Sequence, residues 1–183
     1  MIFWAAMGFI RTPFDRKRKA NTIVEDRKTP LESALLFGTL LGMILLPVIF
    51  VFTPWLSFAD YDKPGVLHLV GILLIPLATW LFYRSHKDLG QNWSPTLEVR
   101  EGHSLVSRGV YQRVRHPMYT AIWLWCLVQA LLLDNYLAGM GGLVSFGILY
   151  FLRVNQEEKM MLQEFGDQYQ QYMKTTGRLL PKF

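Results

Sequence analysis

Four stretches of this sequence lack Asp, Glu, Lys and Arg altogether: residues 33–59, 64–83, 117–133 and 135–152. An α-helix needs about 20 apolar residues to cross the hydrocarbon core of a bilayer, and about 17 suffice. The first two stretches meet that length with room to spare, the last two narrowly. Only Asp134 separates the last two, and the turn Asp134-Asn135-Tyr136 predicts a tight helical hairpin. Four such runs in 183 residues leave too little polar chain to cover them in a water-soluble core. The expected fold class is an all-α integral membrane protein with four transmembrane helices.

Basic residues alternate with these spans. Residues 11–28 hold Arg11, Arg16, Lys17, Arg18, Lys19, Arg27 and Lys28, whereas the loop after the first span holds only Lys63, beside Asp60 and Asp62. Residues 84–116 hold Arg84, Lys87, Arg100, Arg108, Arg113 and Arg115. The hairpin turn has no Lys or Arg, and the tail from residue 153 has Arg153, Lys159, Lys174, Arg178 and Lys182. An even number of crossings, with both termini and the long middle loop in the cytoplasm, is what the positive-inside rule expects of this order. The net charge of +5 resides in these flanks and points to anionic lipid head groups rather than nucleic acid, for which there is no motif. Residues 1–10 are uncharged but too short to span, and their basic residues follow the apolar run, the wrong order for a signal peptide. An interfacial helix is expected there. The single cysteine, Cys126, lies inside the third span and reads as a packing residue.

Within this frame, Thr29-Pro30-Leu31-Glu32 is a helix start, and Pro47 and Pro76 are expected to kink their spans. Gly38 and Gly42 are four apart, a pattern that lets helices approach closely and leaves homodimerisation open. Residues 153–174 read as an amphipathic helix with Met161, Phe165, Tyr169 and Tyr172 on one face, ended by Gly177.

Two constellations carry chemistry. Arg113, Arg115, His116 and Tyr119 gather around Pro117, a residue suited to the first turn of a helix. Free N–H groups and the helix dipole at such an end favour an anion, here at the membrane–water boundary. Arg153, Glu157 and Glu158 mark where the fourth span leaves the bilayer, Arg153 and Glu157 sharing a helix face. Taken alone, the first could be interfacial anchoring, and the second a surface ion pair with a snorkelling arginine. No Ser–His–Asp or metal-ligating constellation accompanies them.

The joint pattern resembles the isoprenylcysteine carboxyl methyltransferase family and the wider group that contains phospholipid methyltransferases. The resemblance rests on His103-Ser104-Leu105-Val106, Gly109-Val110-Tyr111, Arg115-His116-Pro117-Met118-Tyr119 and Arg153-Val154-Asn155-Gln156-Glu157-Glu158. Phe165-Gly166, Tyr169, Tyr172, Arg178 and Leu180-Pro181 extend it, so that it covers residues 84–183. It implies S-adenosylmethionine as cofactor, held by His103, Ser104, Leu105, Val106, Tyr111, His116, Pro117, Met118, Tyr119 and Glu157. It implies that Arg153 positions the acceptor's carboxylate, with Arg113, Arg115 and Glu158 in support, and no metal. Together with the charge and hydropathy pattern, it gives an expected division into an N-terminal segment, 1–32, and a membrane methyltransferase domain, 33–183, whose cofactor-binding cap combines the loop 84–116 with the tail 153–183. The expected reaction is methyl transfer to a lipidic or small hydrophobic acceptor, with an isoprenylcysteine-type carboxylate first among candidates. Family members in eukaryotes are usually longer at the N-terminus, and the first half of this chain has no motif that identifies a substrate. Two other readings keep the fold: a membrane reductase with a nicotinamide cofactor, and a non-catalytic lipid-binding protein.

Overall fold

The computed structural model describes residues 2–19, 23–26, 29–90, 98–100 and 104–182. His103 lies outside the described residues. Six helices dominate: α1 (Ile2–Lys19), α2 (Pro30–Leu40), α3 (Leu46–Phe52), α4 (Gly65–Leu89), α5 (Pro117–Leu132) and α6 (Tyr136–Thr175). The expectation of an all-α chain needs one amendment. Two short strands, β1 (Ile23–Asp26) and β2 (Glu98–Arg100), pair antiparallel with Ile23 opposite Arg100 and Asp26 opposite Glu98. They tie the N-terminal lead-in to the loop between α4 and α5.

Three helical segments are long and apolar enough to cross a bilayer: Pro30–Phe52, Gly65–Leu89 and Tyr136–Thr175. The fourth apolar helix, α5, has 16 residues, or ~24 Å at 1.5 Å each. Its shortness has a visible compensation. Lys63 reaches into the far end of α5 and donates to the carbonyls of Ala130 (2.7 Å) and Leu133 (2.9 Å), groups that no further turn of helix satisfies. The lysine that interrupts the uncharged sequence is thus a helix cap.

The first span ends at Phe52 rather than at Ala59. Pro54 is the reason: the residue before a proline is driven out of the helical region, and Thr53 is extended (φ −142°, ψ 155°). Pro47 acts one turn earlier. The segment Leu41–Leu45 between α2 and α3 is a π-helical turn, in which Leu46 donates to the carbonyl of Leu41. The carbonyl of Gly42 thereby loses its α-helical donor, and its π-helical donor would be Pro47, which has no N–H. Gln129 on α5 fills the gap, its Nε2 donating to Gly42 O at 2.9 Å. Gly42 also allows the backbones to touch here. A Cβ on it would stand 2.3 Å from the carbonyl oxygen of Gly141 on α6, whereas one on Gly38 would meet nothing. Of the two glycines, Gly42 is the one that serves packing among the described residues.

Asn135 makes the hairpin between α5 and α6 tight. Fully buried, it caps α6 by accepting from Ala138 N (2.9 Å) and donates to Leu56 O and Asp60 Oδ1. The end of α6 differs from expectation. The fourth span continues without a break into the tail helix as far as Gly166, whose non-helical backbone (φ 49°, ψ −125°) interrupts the helix expected over 153–174, and beyond this kink Tyr169 and Tyr172 are buried against the rest of the molecule. Two buried clusters result: one between the first span, α5 and α6, around Met43, Phe146 and Val154, the other between α4 and α5, around Ala78 and Trp125. The helix α1 lies against α4, with Met7 at the second cluster and Phe14 against the ring of His86.

Candidate active site

Three elements meet at the end of the bundle opposite Lys63: the start of α5, the middle of α6 and the start of α2. Residues 176–182 strap them together. Arg115 N donates to Gly177 O (2.8 Å) and His116 N to Arg178 O (3.0 Å), a parallel pairing that holds the approach to α5 beside the chain's end. Thr120 Oγ1 secures the strap further by donating to Leu179 O (2.7 Å). Pro117 then opens α5 as its first residue, with His116 as the N-cap.

Charged side chains form two adjoining networks. In the first, buried Arg153 sits between two carboxylates, with Nη1 3.2 Å from Glu32 Oε1 and Nε 3.9 Å from Glu157 Oε2. Glu157 also accepts from the Tyr119 hydroxyl, and its Oε1 lies 3.7 Å from His116 Nδ1. In the second, buried Glu158 gathers His116 Nε2 (3.2 Å), Arg115 Nε (3.2 Å) and the guanidinium of Arg178. His116 touches both networks, one with each ring nitrogen. Beneath them Tyr119, Trp123, Phe146 and Tyr150 pack edge to face, an apolar aromatic wall between α5 and α6.

The two networks do different things. Arg115 is a fastener: besides Glu158, its Nη1 donates to the carbonyls of Met173 and Thr176 and so closes the last turn of α6. Arg178 anchors the strap on Glu158. The first network is the more open of the two to a ligand. One cation faces two carboxylates, and Glu157 is the member open to a ligand, at 27% exposure of its side chain. Glu32 is 5% exposed and paired in charge with Arg153, but neither of its oxygens accepts a hydrogen bond of good geometry, which leaves acceptor capacity for a ligand. The cluster therefore fits a ligand that brings both a positive charge and a carboxylate.

Arg153, Glu157, His116, Pro117 and Tyr119, expected from the sequence to act together, are brought together, and Met118 follows on the first turn of α5. Tyr111 is not open. Its buried hydroxyl lies 3.4 Å from Ser85 O, its carbonyl accepts from the Tyr172 hydroxyl, and burial, then the nearby charge of Glu157, holds its phenol well above the ordinary value. Ser104, Leu105 and Val106 lie before the 3-10 turn Gly109–Gln112 and bring no charge to the cluster. Arg113 stands apart on an exposed groove. Glu32 is the residue that sequence reasoning assigned to a helix start alone. Thr29 does cap there, its Oγ1 accepting from Glu32 N at 3.1 Å, but the Glu32 side chain turns inward to Arg153. An acid at the threshold of a long uncharged span was the available signal.

Residues 69–163, just over half of the chain, match the isoprenylcysteine carboxyl methyltransferase family. A protein-S-isoprenylcysteine O-methyltransferase of Schizosaccharomyces pombe is 31% identical over half of this chain and 40% of its own length. The Homo sapiens protein of the same name is 26% identical over 97% of this chain and 66% of its own length. Among solved structures, a eukaryotic intramembrane Ras methyltransferase, isoprenylcysteine carboxyl methyltransferase, superposes with a TM-score of 0.56 over 86% of this chain and 54% of its own, at 24% identity. The chain thus spans only part of the length of these relatives.

Proposed function

This chain belongs to the isoprenylcysteine carboxyl methyltransferase family, and we propose that it transfers a methyl group from S-adenosylmethionine to the carboxylate of a lipidic acceptor of the isoprenylcysteine type. The observation that carries this reading is the Arg153 guanidinium held between Glu32 and Glu157 at the bundle end where α5 begins. S-adenosylmethionine, when bound, supplies a methyl group on a positively charged sulfur, open to in-line displacement. Glu157 and Glu32 offer the carboxylates that such a cation needs. His116 and the first turn of α5 offer an N-terminal helix end for the cofactor's own carboxylate. His103, Ser104, Leu105, Val106, Tyr111, Pro117, Met118 and Tyr119 complete the cofactor set by family resemblance. Of these, Tyr111 acts by supporting the site through Ser85 and Tyr172.

Arg153 positions the acceptor carboxylate by a two-pronged contact. A carboxylate is already a nucleophile, so no general base is required. What the site must do is align the acceptor and keep water out, and the aromatic wall of Tyr119, Trp123, Phe146 and Tyr150 serves the second need. The acceptor's tail is too costly to pass through water and enters sideways from the bilayer. In this reading α5 is a fourth, short crossing, and the cluster, residues 84–116 and both termini face the cytoplasm.

The test is calorimetry on detergent-purified protein. Wild type should bind S-adenosylmethionine, and Glu157→Ala should bind it at least about tenfold more weakly, the loss of one charge-assisted contact. An absence of binding in the wild type sinks the methyltransferase reading, and nicotinamide cofactors would be the next ligands to try.

A further inference from the structure

A groove of about 370 Å³ runs between α4, the 3-10 turn Gly109–Gln112, the start of α5 and the end of the strap. No member of the two charged networks lines it. Its walls are Trp80, Val110, Pro117 and Pro181 among others, almost wholly apolar, and two arginines, Arg84 and Arg113, complete them. Trp80 is 55% exposed and continues a stripe with Leu73 (65%) and Leu77 (47%) down the outer face of α4, the face that a spanning helix turns to lipid. The groove is therefore reached from the bilayer, and its charged end lies where α4 leaves the apolar stretch.

The charge around it is positive and only partly answered. Arg84 pairs with Asp88 (3.2 Å), but its Nε is buried without a hydrogen bond. Arg113 is exposed, and among the described residues its side chain has no ion pair or hydrogen bond. Lys87 stands nearby on α4 with its ammonium over the ring of Tyr83. Asp88 does not balance this set, because its carboxylate is also spent on the backbone N–H of Val110 (3.0 Å). A buried guanidinium nitrogen without an acceptor, beside an arginine unpaired among the described residues and an apolar channel, calls for a group with phosphate oxygens at one end and hydrocarbon at the other.

We propose that this groove is a binding site for an anionic phospholipid, with the phosphate between Arg84 and Arg113 and the upper acyl chain along Val110, Pro117 and Trp80. The groove shares Pro117 with the cofactor set given by family resemblance, but none of the charged residues around Arg153 lines it, and its test reads lipid enrichment without cofactor or turnover. The lipid would brace the joint between α4 and the segment that leads into α5.

The experiment is fluorescence quenching in phosphatidylcholine vesicles that contain a minority of phosphatidylglycerol, with bromine on the upper acyl chain of one lipid or the other. Subtracting the Trp80→Phe variant isolates Trp80 from the other tryptophans. Brominated phosphatidylglycerol should quench Trp80 beyond its share of the bilayer, with an enrichment of about fivefold for each arginine engaged. Arg84→Gln with Arg113→Gln should return quenching to the bulk share, and Arg113→Gln alone, a surface change, should lower it if the double variant does not fold. Equal quenching by both lipids in the wild type overturns the proposal. So does displacement of the brominated lipid by a prenylated cysteine, which would make the groove a path for the acceptor.

Discussion

Arg153 shares its guanidinium with Glu32 and Glu157, and this arrangement sets the charge of the site. One positive and two negative groups leave an excess of one negative charge, which favours a sulfonium over a neutral thioether. Glu32→Gln should therefore weaken S-adenosylmethionine by about tenfold, ~1.4 kcal/mol, and S-adenosylhomocysteine much less. Calorimetry with both ligands checks this, since damage to packing alone would lower the two affinities together. Arg153→Ala should abolish turnover while the protein still binds S-adenosylmethionine within a few-fold of wild type. Retained turnover in that variant would show that the acceptor carboxylate is held elsewhere.

At the scale of elements, the positions that matter are those where one helix supplies what another lacks. The carbonyl of Gly42 is released by the π-turn before Pro47 and claimed by Gln129. Gln129→Leu should cost about 1–3 kcal/mol, the penalty for a buried acceptor left unpaired. In a Pro47→Ala background the chain regains an N–H within reach of Gly42 O, and the same change should cost less. A double-mutant cycle on thermal midpoints in detergent measures this coupling, and strict additivity would refute it. Gly109 is a second such joint. It has φ +61°, and a Cβ there would stand 2.1 Å from the Asp88 carboxylate that accepts from Val110 N. Gly109→Ala should lower stability by at least the ~1–2 kcal/mol of a left-handed backbone, seen as a fall in melting temperature. A variant as stable as wild type would mean that the turn is not held by Asp88.

For the whole molecule, the two ends of the bundle are chemically distinct. Lys63, His68, Asp134, Asp60 and Asn135 link at one end, and Arg115, Arg153, Glu157, Glu158 and Arg178 at the other. Helices that alternate between these ends fit four crossings, with α5 as the short one. In a Cys126→Ala background, cysteines placed at Ser57 and Gln171 should react with a membrane-impermeant maleimide from opposite faces of oriented vesicles, Gln171 from the cytoplasmic face. Labelling of both from one face would sink the four-crossing topology.

Much of this organisation is legible in the sequence, because hydrophobic length and charge asymmetry act through the bilayer and need no knowledge of tertiary contacts. The apolar stretches and the tight hairpin at Asn135 follow from local pattern, whereas the partnership of His116, Tyr119, Arg153 and Glu157 came from the family resemblance. Local pattern could not show that α6 runs unbroken through Arg153 to Gly166, since a spanning run and an amphipathic run can join in one helix without a signal at the junction. Nor could it show that Glu32 meets Arg153, that Lys63 caps α5, or that Arg115 and Arg178 fasten Glu158 while Arg113 faces a groove. Each is a pairing between residues far apart in the chain, decided by which helix faces pack together. The apolar pattern determined that helices would stand in a membrane, and tertiary packing decided which buried charges meet, because an isolated charge there costs more than any local preference can offset.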